Sequence, residues 1–506
     1  MSLSRAKPEA HVRHRQLSGR SYGVASQGRE LAMTRAQPAY KLFAIYLFIS
    51  LVAGLETFSP AWVWPVVSLA AFAAFLLTMS RHYREAIFTL FAIEIAKILM
   101  LISLAFIGAG FFVRELGIIA EASTHSAYYA LTACLYIHAA CLTFKAARHA
   151  RGHIALLPAQ QSLLGLYVLG AGGLCIFAVL YLIVLGLTDG FPMLAGVDRF
   201  SYRADQGWLF RVIITFKPIL AGLMGMIRFR FRPRPWQRWL LDFTFGLLIG
   251  AVVLFGEKFL SLLVMGGAYL LPFLLRRKRR SPSSLLIATG LSMAVLVSSA
   301  TVYVYSDYGT LGASETSERL LGRFTGQGQL WYAASNASNR EPNFDQLRQM
   351  GNVMMSSEAD EEAFRQQVGI FHLISRFAPS NIYDSIMAGR GLVQFTGGFE
   401  AYFLIVGGHL VMIAAVIFFG GIAGLVAFYV YESLIAGAVV GYVGAWFIYM
   451  AVYSASNQAS VWQVIGWKSL LYFAIVIGMD RIARSILSVP RSPKTNLASF
   501  RELPRR

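Results

Sequence analysis

Two pairs of arginines with helical spacing are the residues best suited to chemistry. Arg199 and Arg203 are four positions apart, and so are Arg319 and Arg323, so a helical turn would place each pair on one face. Guanidinium groups bind phosphate oxygens through a planar fork of N–H donors. We interpret Arg199, Arg203 and Arg323 as candidate pyrophosphate ligands, with Arg319 and Arg390 as further candidates. The alternative for each arginine is pairing with a nearby carboxylate or exposure to water.

A helix with one histidine is expected near residues 357–377. Its sequence SEAD (357–360) is a capping box, and the helix should end before Pro379. His372 and Arg376 would then share one stripe with Arg365 and Gly369, and Arg376 is a further candidate for binding the substrate or its pyrophosphate. A histidine with a pKa near neutrality can accept a proton from a substrate hydroxyl, although solvent-facing histidines are commoner.

Four other polar residues complete the set of candidates. Glu400 is a rival to His372 as catalytic base, as is Asp205. Gln327 is the first glutamine of GQGQLWY (326–332) and could bind substrate. Lys258 lies in a Gly-Glu-Lys turn between two short apolar segments. Because both segments are short, the turn is expected to lie below the membrane surface. A lysine there is costly unless it is paired or functional, and its neighbour Glu257 is the simplest partner.

The elements that must position these residues are membrane-spanning helices. The chain of 506 residues is 56% hydrophobic and only 14% charged, whereas soluble domains carry roughly 25% charged residues. A bilayer core needs about 20 apolar helical residues. The sequence therefore predicts an all-α polytopic membrane protein with about a dozen spans, near residues 41–57, 61–79, 87–112, 125–145, 162–187, 208–227, 239–255, 259–275, 284–305, 401–428, 433–453 and 462–480.

The basic residues predict the orientation of these spans. Most of the 45 lysines and arginines fall in the two ends and in alternate loops, including RFRFRPRPWQR (228–238) and RRKRR (276–280). The positive-inside rule assigns those segments to the cytoplasm. Both termini should then be cytoplasmic. The net charge of +19 is thereby explained by topology, and no nucleic-acid partner is needed.

The predicted spans divide the chain into five regions. They are a disordered basic tail (1–40), nine spans (41–305), a large helical periplasmic loop (306–400), three spans (401–480) and a second basic tail (481–506). A weaker helical run is expected over 314–335. Within the spans, Glu94 and Lys97 should pair as neighbours on one helix, and Lys217 precedes a proline that could kink its helix. No cofactor or metal site is implied, since the three cysteines lie in apolar runs and the far-side loops have no convincing carboxylate cluster.

Four segments carry a resemblance to a known family. They are GFPMLAGVDRFSYRADQG (190–207), FGEKF (255–259), RFTGQGQLWYA (323–333) and GRGLVQFTGGFEAYFLIVGG (389–408). With the topology, they resemble the bacterial O-antigen and exopolysaccharide repeat-unit polymerases of the Wzy type, which are related to the O-antigen ligases. Many relatives place an arginine in the short-helix turn, whereas this chain has Lys258, a point charge instead of a fork.

The resemblance implies glycosyl transfer at the periplasmic face. The growing chain on undecaprenyl pyrophosphate would be the donor, and a lipid-linked repeat unit the acceptor. Cations must stabilise the leaving pyrophosphate, and a base must activate the acceptor hydroxyl. Membrane lipid and a chain-length regulator are the other expected partners.

Two other functions stay open from the sequence alone. An O-antigen ligase would share the architecture. A transporter or flippase would be favoured by internal repeats, which are not evident in the sequence, and by charges at the membrane midplane.

Overall fold

The computed structural model describes residues 40–59, 62–113, 116–150, 161–195, 197, 202–203, 205–231, 233–257, 259–276, 312–337, 344–355, 368–387 and 397–487. These residues form helices joined by short connections, and they include one isolated bridge between Val113 and Ile118. The prediction of an all-α fold is confirmed for this part of the chain. The predicted span at 284–305 lies outside it.

The described residues of the N-terminal half include ten helices. They are α1 (Tyr40–Phe58), α2 (Val63–His82), α3 (Arg84–Thr89), α4 (Phe91–Gly108), α5 (Ser126–Ala150), α6 (Gln161–Thr188), α7 (Pro192–Ala195), α8 (Trp208–Arg230), α9 (Pro235–Leu254) and α10 (Phe259–Arg276). The expected span at 87–112 is divided, because the short α3 ends before α4 begins. The other expected spans up to residue 275 each coincide with one long helix.

The described residues of the large loop and the C-terminal spans include nine more helices. They are α11 (Ala313–Gly326), α12 (Gln329–Asn336), α13 (Phe344–Met355), α14 (Ile370–Phe377), α15 (Ser380–Met387), α16 (Gly398–Ala436), α17 (Val439–Gln458), α18 (Trp462–Ile465) and α19 (Trp467–Leu487). The expected run at 314–335 is thus two helices separated at Gln327 and Gly328. Helix α14 ends before Pro379 as predicted, while the proposed capping box lies outside the described residues.

Two glycines correct the predicted helix boundaries. Gly369 has φ +62°, so α14 begins after it, and Gly369 does not share a helical stripe with His372. Gly437, with φ +72°, ends α16. The expected spans 401–428 and 433–453 imply a loop between them at Glu432, but Glu432 is a buried residue inside α16. The left-handed conformation that terminates a helix is accessible to glycine without a steric penalty.

Close backbone contacts hold the long helices together. A Cβ atom at Gly424 would lie 2.1 Å from the carbonyl oxygen of Ala140, and one at Gly420 would lie 2.5 Å from that of Tyr136. Helices α16 and α5 therefore touch through glycines spaced four apart, a spacing that allows membrane helices to approach closely. Gly225 on α8 makes the same kind of contact with the Tyr269 carbonyl on α10.

Large apolar side chains cover the outside of the bundle. On α6, Leu169 and Leu187 are 71% and 74% exposed, and further exposed leucines and phenylalanines lie between them. Nine helices among the described residues are long and apolar enough to cross a bilayer. A surface of this kind is stable only against lipid or another apolar partner.

Candidate functional site

A proline in the middle of α8 explains the position of a buried lysine. Pro218 has no N–H, so the carbonyl of Ile214, four residues earlier, has no helical donor. The ammonium group of Lys217 donates to that carbonyl oxygen at 2.9 Å. In a membrane the freed backbone group must be satisfied within the protein. The Lys-Pro dipeptide thus keeps α8 continuous and fixes the lysine side chain near the backbone.

Glu257 joins this lysine to a distant arginine. Its carboxylate accepts from the Arg203 guanidinium through Oε1, and its Oε2 atom lies 3.0 Å from the Lys217 ammonium. The side chains of Lys217 and Glu257 are nearly buried, and that of Arg203 is partly exposed. Lys217 is nine residues into α8, which is about 14 Å along the helix. The turn that carries Glu257 therefore reaches below the end of α8, as the sequence analysis suggested.

These three residues line a cavity of about 310 Å³, here called the charged cavity. Its other walls come from α8, α10 and α17 and are mainly apolar; they include Ile214, Thr215, Pro218, Leu260, Ser261, Val264, Met450 and Tyr453. The cluster has two cations and one anion, so it carries a net charge of +1. A partly desolvated positive charge beside apolar walls suits an anionic group attached to a hydrocarbon.

A second cavity of about 340 Å³ adjoins the first and is here called the amide cavity. It is lined by Ala96, Met100, Tyr129, Leu260, Gln327, Gly397, Met450, Tyr453, Ser454, Ser456, Asn457 and Gln458. None of these lining residues is charged. Leu260, Met450 and Tyr453 line both cavities, so the two share a wall. Amide and hydroxyl groups suit an uncharged ligand that both donates and accepts hydrogen bonds.

The large loop reaches the amide cavity because α11 and α12 dock onto the bundle. Ser103 on α4 donates to the Thr325 carbonyl at 2.9 Å and accepts from the Gly328 amide at 2.6 Å. Trp331 is fully buried and donates from Nε1 to the Thr124 carbonyl at 3.2 Å. These contacts hold the chain on both sides of Gln327. The predicted candidate Gln327 is thereby placed at the cavity wall.

Gly397 closes the same wall at the end of the large loop. It has φ +71°, and a Cβ atom there would lie 2.2 Å from Met100 Cε and 2.7 Å from the Gln327 carbonyl oxygen. Both its conformation and the lack of space require glycine. The start of α16 is in this way fixed against α4 and the α11–α12 connection.

Glu400 lies in the first turn of α16 and forms a fully buried ion pair. Its Oε1 atom accepts from the Lys97 ammonium on α4. The rings of Tyr129, Tyr136 and Phe399 surround that ammonium, with centroids 5.3 to 5.9 Å away. The expected pairing of Glu94 with Lys97 is therefore wrong: Lys97 turns to the carboxylate on the neighbouring helix. Neither Lys97 nor Glu400 lines the amide cavity, which Tyr129 separates from the ion pair.

His372 is half-buried on α14 and packs edge-on against Tyr402, with ring centroids 6.0 Å apart. Burial, and then the positive charge of Arg376, lower the pKa of His372 to about 4. The imidazole is therefore neutral at pH 7, with weak basicity. His372 does not line either cavity, and Arg376 is exposed with its guanidinium over the Phe377 ring.

The remaining predicted ligands cannot be assigned to the site from their contacts. Arg199, Lys258 and Arg390 lie outside the described residues. Arg319 and Arg323 are on α11, four residues apart, but their side chains are outside the part of the chain that the structure describes. Of the ten predicted site residues, the structure brings Arg203 and Gln327 to the adjoining cavities.

Sequence reasoning missed two parts of the site. Asn457 and Gln458 lie at the C-terminal end of α17, inside a segment that reads as an ordinary apolar span. A signal was present, because SASNQAS (454–460) interrupts that span with polar residues. Lys217 and Glu257 each stand out in the sequence. Their contact joins α8 to a turn 40 positions later, and no local pattern indicates it.

The described residues contain no group of three or more His, Cys, Asp or Glu side chains arranged to hold a metal ion.

The fold and surface together define an all-helical, multi-pass membrane protein. Residues 363–473 match the model of a family of unknown function, DUF6418. The matched segment contains α14 to α18 and thus the Asn457 side of the amide cavity, while Arg203, Lys217 and Glu257 lie before it. No curated protein matches the chain, and no solved structure matches it.

Proposed function

We propose that this protein polymerises oligosaccharide repeat units linked to undecaprenyl pyrophosphate, forming O-antigen or exopolysaccharide at the periplasmic face of the inner membrane. The observation that carries the proposal is the cluster of Arg203, Lys217 and Glu257 in a cavity that adjoins a second, uncharged polar cavity. A lipid-linked glycan presents the same sequence of chemistry, from hydrocarbon through pyrophosphate to sugar.

The proposed reaction exchanges one glycosidic bond for another. The acceptor hydroxyl oxygen bonds to the anomeric carbon of the donor glycan, and the bond from that carbon to the pyrophosphate oxygen breaks. The hydroxyl proton passes to a base, and the bonding electrons leave with the pyrophosphate. Arg203 and Lys217 would stabilise the charge that develops on that leaving group. Arg199 and Arg323 stay predicted ligands of the same pyrophosphate, and His372 and Glu400 stay predicted bases.

Glu257 has a defined part in this proposal. In the substrate-free protein its carboxylate neutralises the two cations, which would otherwise be costly to bury. A pyrophosphate that enters the charged cavity would compete with Glu257 for the same donors. Arg203 and Lys217 would then move from one anion to another without ever being unpaired.

The test is synthesis in liposomes by the purified protein. We expect a ladder of longer glycans from a lipid-linked repeat unit extracted from the source strain. Arg203→Ala should slow this synthesis by about 100-fold, in the range for the loss of one transition-state donor. Arg348→Ala is the matched control, because Arg348 is an exposed arginine on α13 and lines neither cavity. Failure to form a ladder in verified, correctly inserted protein would overturn the proposal.

A ligase would give a different product in the same assay. It would transfer preformed polymer to an added lipid-core acceptor and leave the single repeat unit unextended. A chain-length regulator added to the liposomes should change the length of the ladder under the polymerase proposal alone.

The Lys97–Glu400 pair favours a transporter or flippase as the second candidate function. Ionisable residues buried within a membrane bundle commonly mark transport pathways. That candidate predicts movement of lipid-linked substrate across the liposome without any new glycosidic bond. It also predicts that Lys97→Met would abolish this movement in a protein that still folds.

A further inference from the structure

We infer that the amide cavity binds the sugar that is bonded directly to the lipid pyrophosphate. This inference rests on the proposed function and deepens it by assigning a subsite for the uncharged part of the donor. The first argument is connectivity: in such a donor, the anomeric carbon is one oxygen atom away from phosphorus. The sugar ring must therefore lie in a space that touches the phosphate site, as the amide cavity touches the charged cavity.

The second argument is the division of charge between the cavities. The charged cavity holds Arg203, Lys217 and Glu257, and among the described residues that line the amide cavity none is charged. An anionic ligand would gain little in the second cavity, while a polyhydroxylated ring matches it. Gln327, Asn457 and Gln458 each offer an amide N–H₂ donor and a carbonyl acceptor. Sugar hydroxyls need both kinds of partner at short intervals.

The third argument is how firmly the polar groups are held. The side chains of Tyr453 and Asn457 are hydrogen-bonded to each other. Ser456 is buried against the Tyr136 hydroxyl at 2.7 Å, and the turn that follows contains Ala459 in the left-handed conformation, with φ +53°. An alanine with positive φ is strained, and such strain persists only where the surroundings fix the backbone. The end of α17 is thus a rigid platform with exposed amides.

The fourth argument is the shared wall. Leu260, Met450 and Tyr453 line both cavities, so the bond that breaks would lie beside them. The aromatic ring of Tyr453 supplies a flat surface of the kind on which a sugar ring can pack. A volume of about 340 Å³ is at the lower end of the range for small-molecule sites. It suits the first part of the glycan, with the rest of the chain outside.

The experiment compares binding of two probes to the full-length protein in nanodiscs. One probe is undecaprenyl pyrophosphate, and the other is the lipid-linked repeat unit extracted from the source strain. We expect the wild-type protein to bind the sugar-bearing lipid more tightly. Asn457→Leu and Gln327→Met should each reduce that preference by about 10-fold, the effect of about 1.4 kcal/mol, and leave the affinity for undecaprenyl pyrophosphate unchanged.

The two variants and one control separate a binding role from a folding role. Gln327 and Asn457 are on different elements, so a folding defect in one variant leaves the other as a test. Asn352→Leu changes an exposed amide on α13 that lines neither cavity, and its preference should equal that of the wild-type protein. Each variant's thermal unfolding is measured in parallel.

The outcomes distinguish this inference from the proposed function. A wild-type protein without preference for the sugar-bearing lipid, or variants that keep the full preference, would overturn the sugar subsite. If the preference depends on Asn457 and Gln327 but no glycan ladder forms in liposomes, the subsite stands and the polymerase proposal fails. If a glycan ladder forms but both variants keep the full preference for the sugar-bearing lipid, the polymerase proposal stands and the sugar subsite fails.

Discussion

The ammonium group of Lys217 lies 2.9 Å from the carbonyl oxygen of Ile214 and satisfies a backbone acceptor within its own helix. That acceptor is free because Pro218 follows the lysine. The same ammonium also pairs with Glu257, on the turn between α9 and α10. A local defect in one helix is thus coupled to the position of a charge on another element.

The first prediction concerns the coupling of Lys217 and Pro218. Pro218→Ala supplies the missing N–H, so the Ile214 carbonyl no longer needs the lysine. Lys217→Met should then destabilise the Pro218→Ala protein less than the wild-type protein, by about 1 kcal/mol, the net value of one hydrogen bond. Chemical or thermal unfolding of the four proteins in one detergent measures this difference. Strictly additive effects would contradict the role assigned to the lysine.

The second prediction concerns the competition at Glu257. Glu257→Gln leaves two partly buried cations without their carboxylate, which should cost about 3 kcal/mol of stability. Inorganic pyrophosphate should restore most of the lost thermal stability, since it can occupy the vacated donors. Its affinity should rise about 10-fold over that of the wild-type protein, or about 1.4 kcal/mol.

Asp242→Asn is the matched control for that experiment. Asp242 pairs with Arg228 at 2.9 Å but lines neither cavity. Its loss should lower stability without any rescue by pyrophosphate. Equal rescue of both variants would mean that pyrophosphate acts on the protein in general and not in the charged cavity.

The third prediction concerns the Lys97–Glu400 pair. Lys97→Met and Glu400→Leu should each destabilise the protein by about 3 to 5 kcal/mol, because each leaves one charge buried without its partner. The double variant should be more stable than either single variant, since no charge then remains. Unfolding of the four proteins tests this expectation. A double variant that is less stable than both single variants would show that the pair has a further partner.

The fourth prediction is a pH dependence at His372. The pKa of this residue is about 4 in the folded protein, against about 6.5 in an unfolded chain. Between these values the unfolded chain binds more protons, so His372 makes stability fall as the pH is lowered from 6.5 towards 4. Below about pH 4 both states are protonated, and the loss levels off.

His372→Gln should remove that part of the pH dependence. The difference in melting temperature between the variant and the wild-type protein is measured at intervals from pH 7 to pH 4. Carboxylates titrate in both proteins and cancel from the difference. A difference that stays constant with pH would mean that His372 has the same pKa in the folded and the unfolded protein, as an imidazole exposed to water would.

Apolar runs predicted the helices well because a bilayer imposes one strong rule: about 20 apolar residues in a row form a span. The same rule says nothing about which helices touch. The Glu94–Lys97 pairing failed for that reason, since helical spacing made the pair possible but the Glu400 carboxylate was closer in space. The break placed near Glu432 failed because hydropathy changes little there, while Gly437 terminates the helix.

The site was partly predictable from residue type. Arg203 and Gln327 were selected because their chemistry fits a phosphorylated substrate, and both line the adjoining cavities. Glu257 pairs with Arg203 and Lys217, whereas its expected pairing with Lys258 concerns a residue outside the described part of the chain and stays a prediction. Contacts between turns 40 or more positions apart depend on how the helices pack, and a single sequence does not encode that packing in any local pattern.

The sequence separation of Lys97 and Glu400 has a consequence for how the protein is made. The two residues are 303 positions apart. At 5 to 20 residues per second, a ribosome completes Glu400 about 15 to 60 s after Lys97. Throughout that interval Lys97 lacks the Glu400 carboxylate with which it pairs in the folded protein, and an ionisable residue without its partner disfavours release of α4 into lipid. We therefore expect the insertion of α4 to be completed late, after α16 emerges.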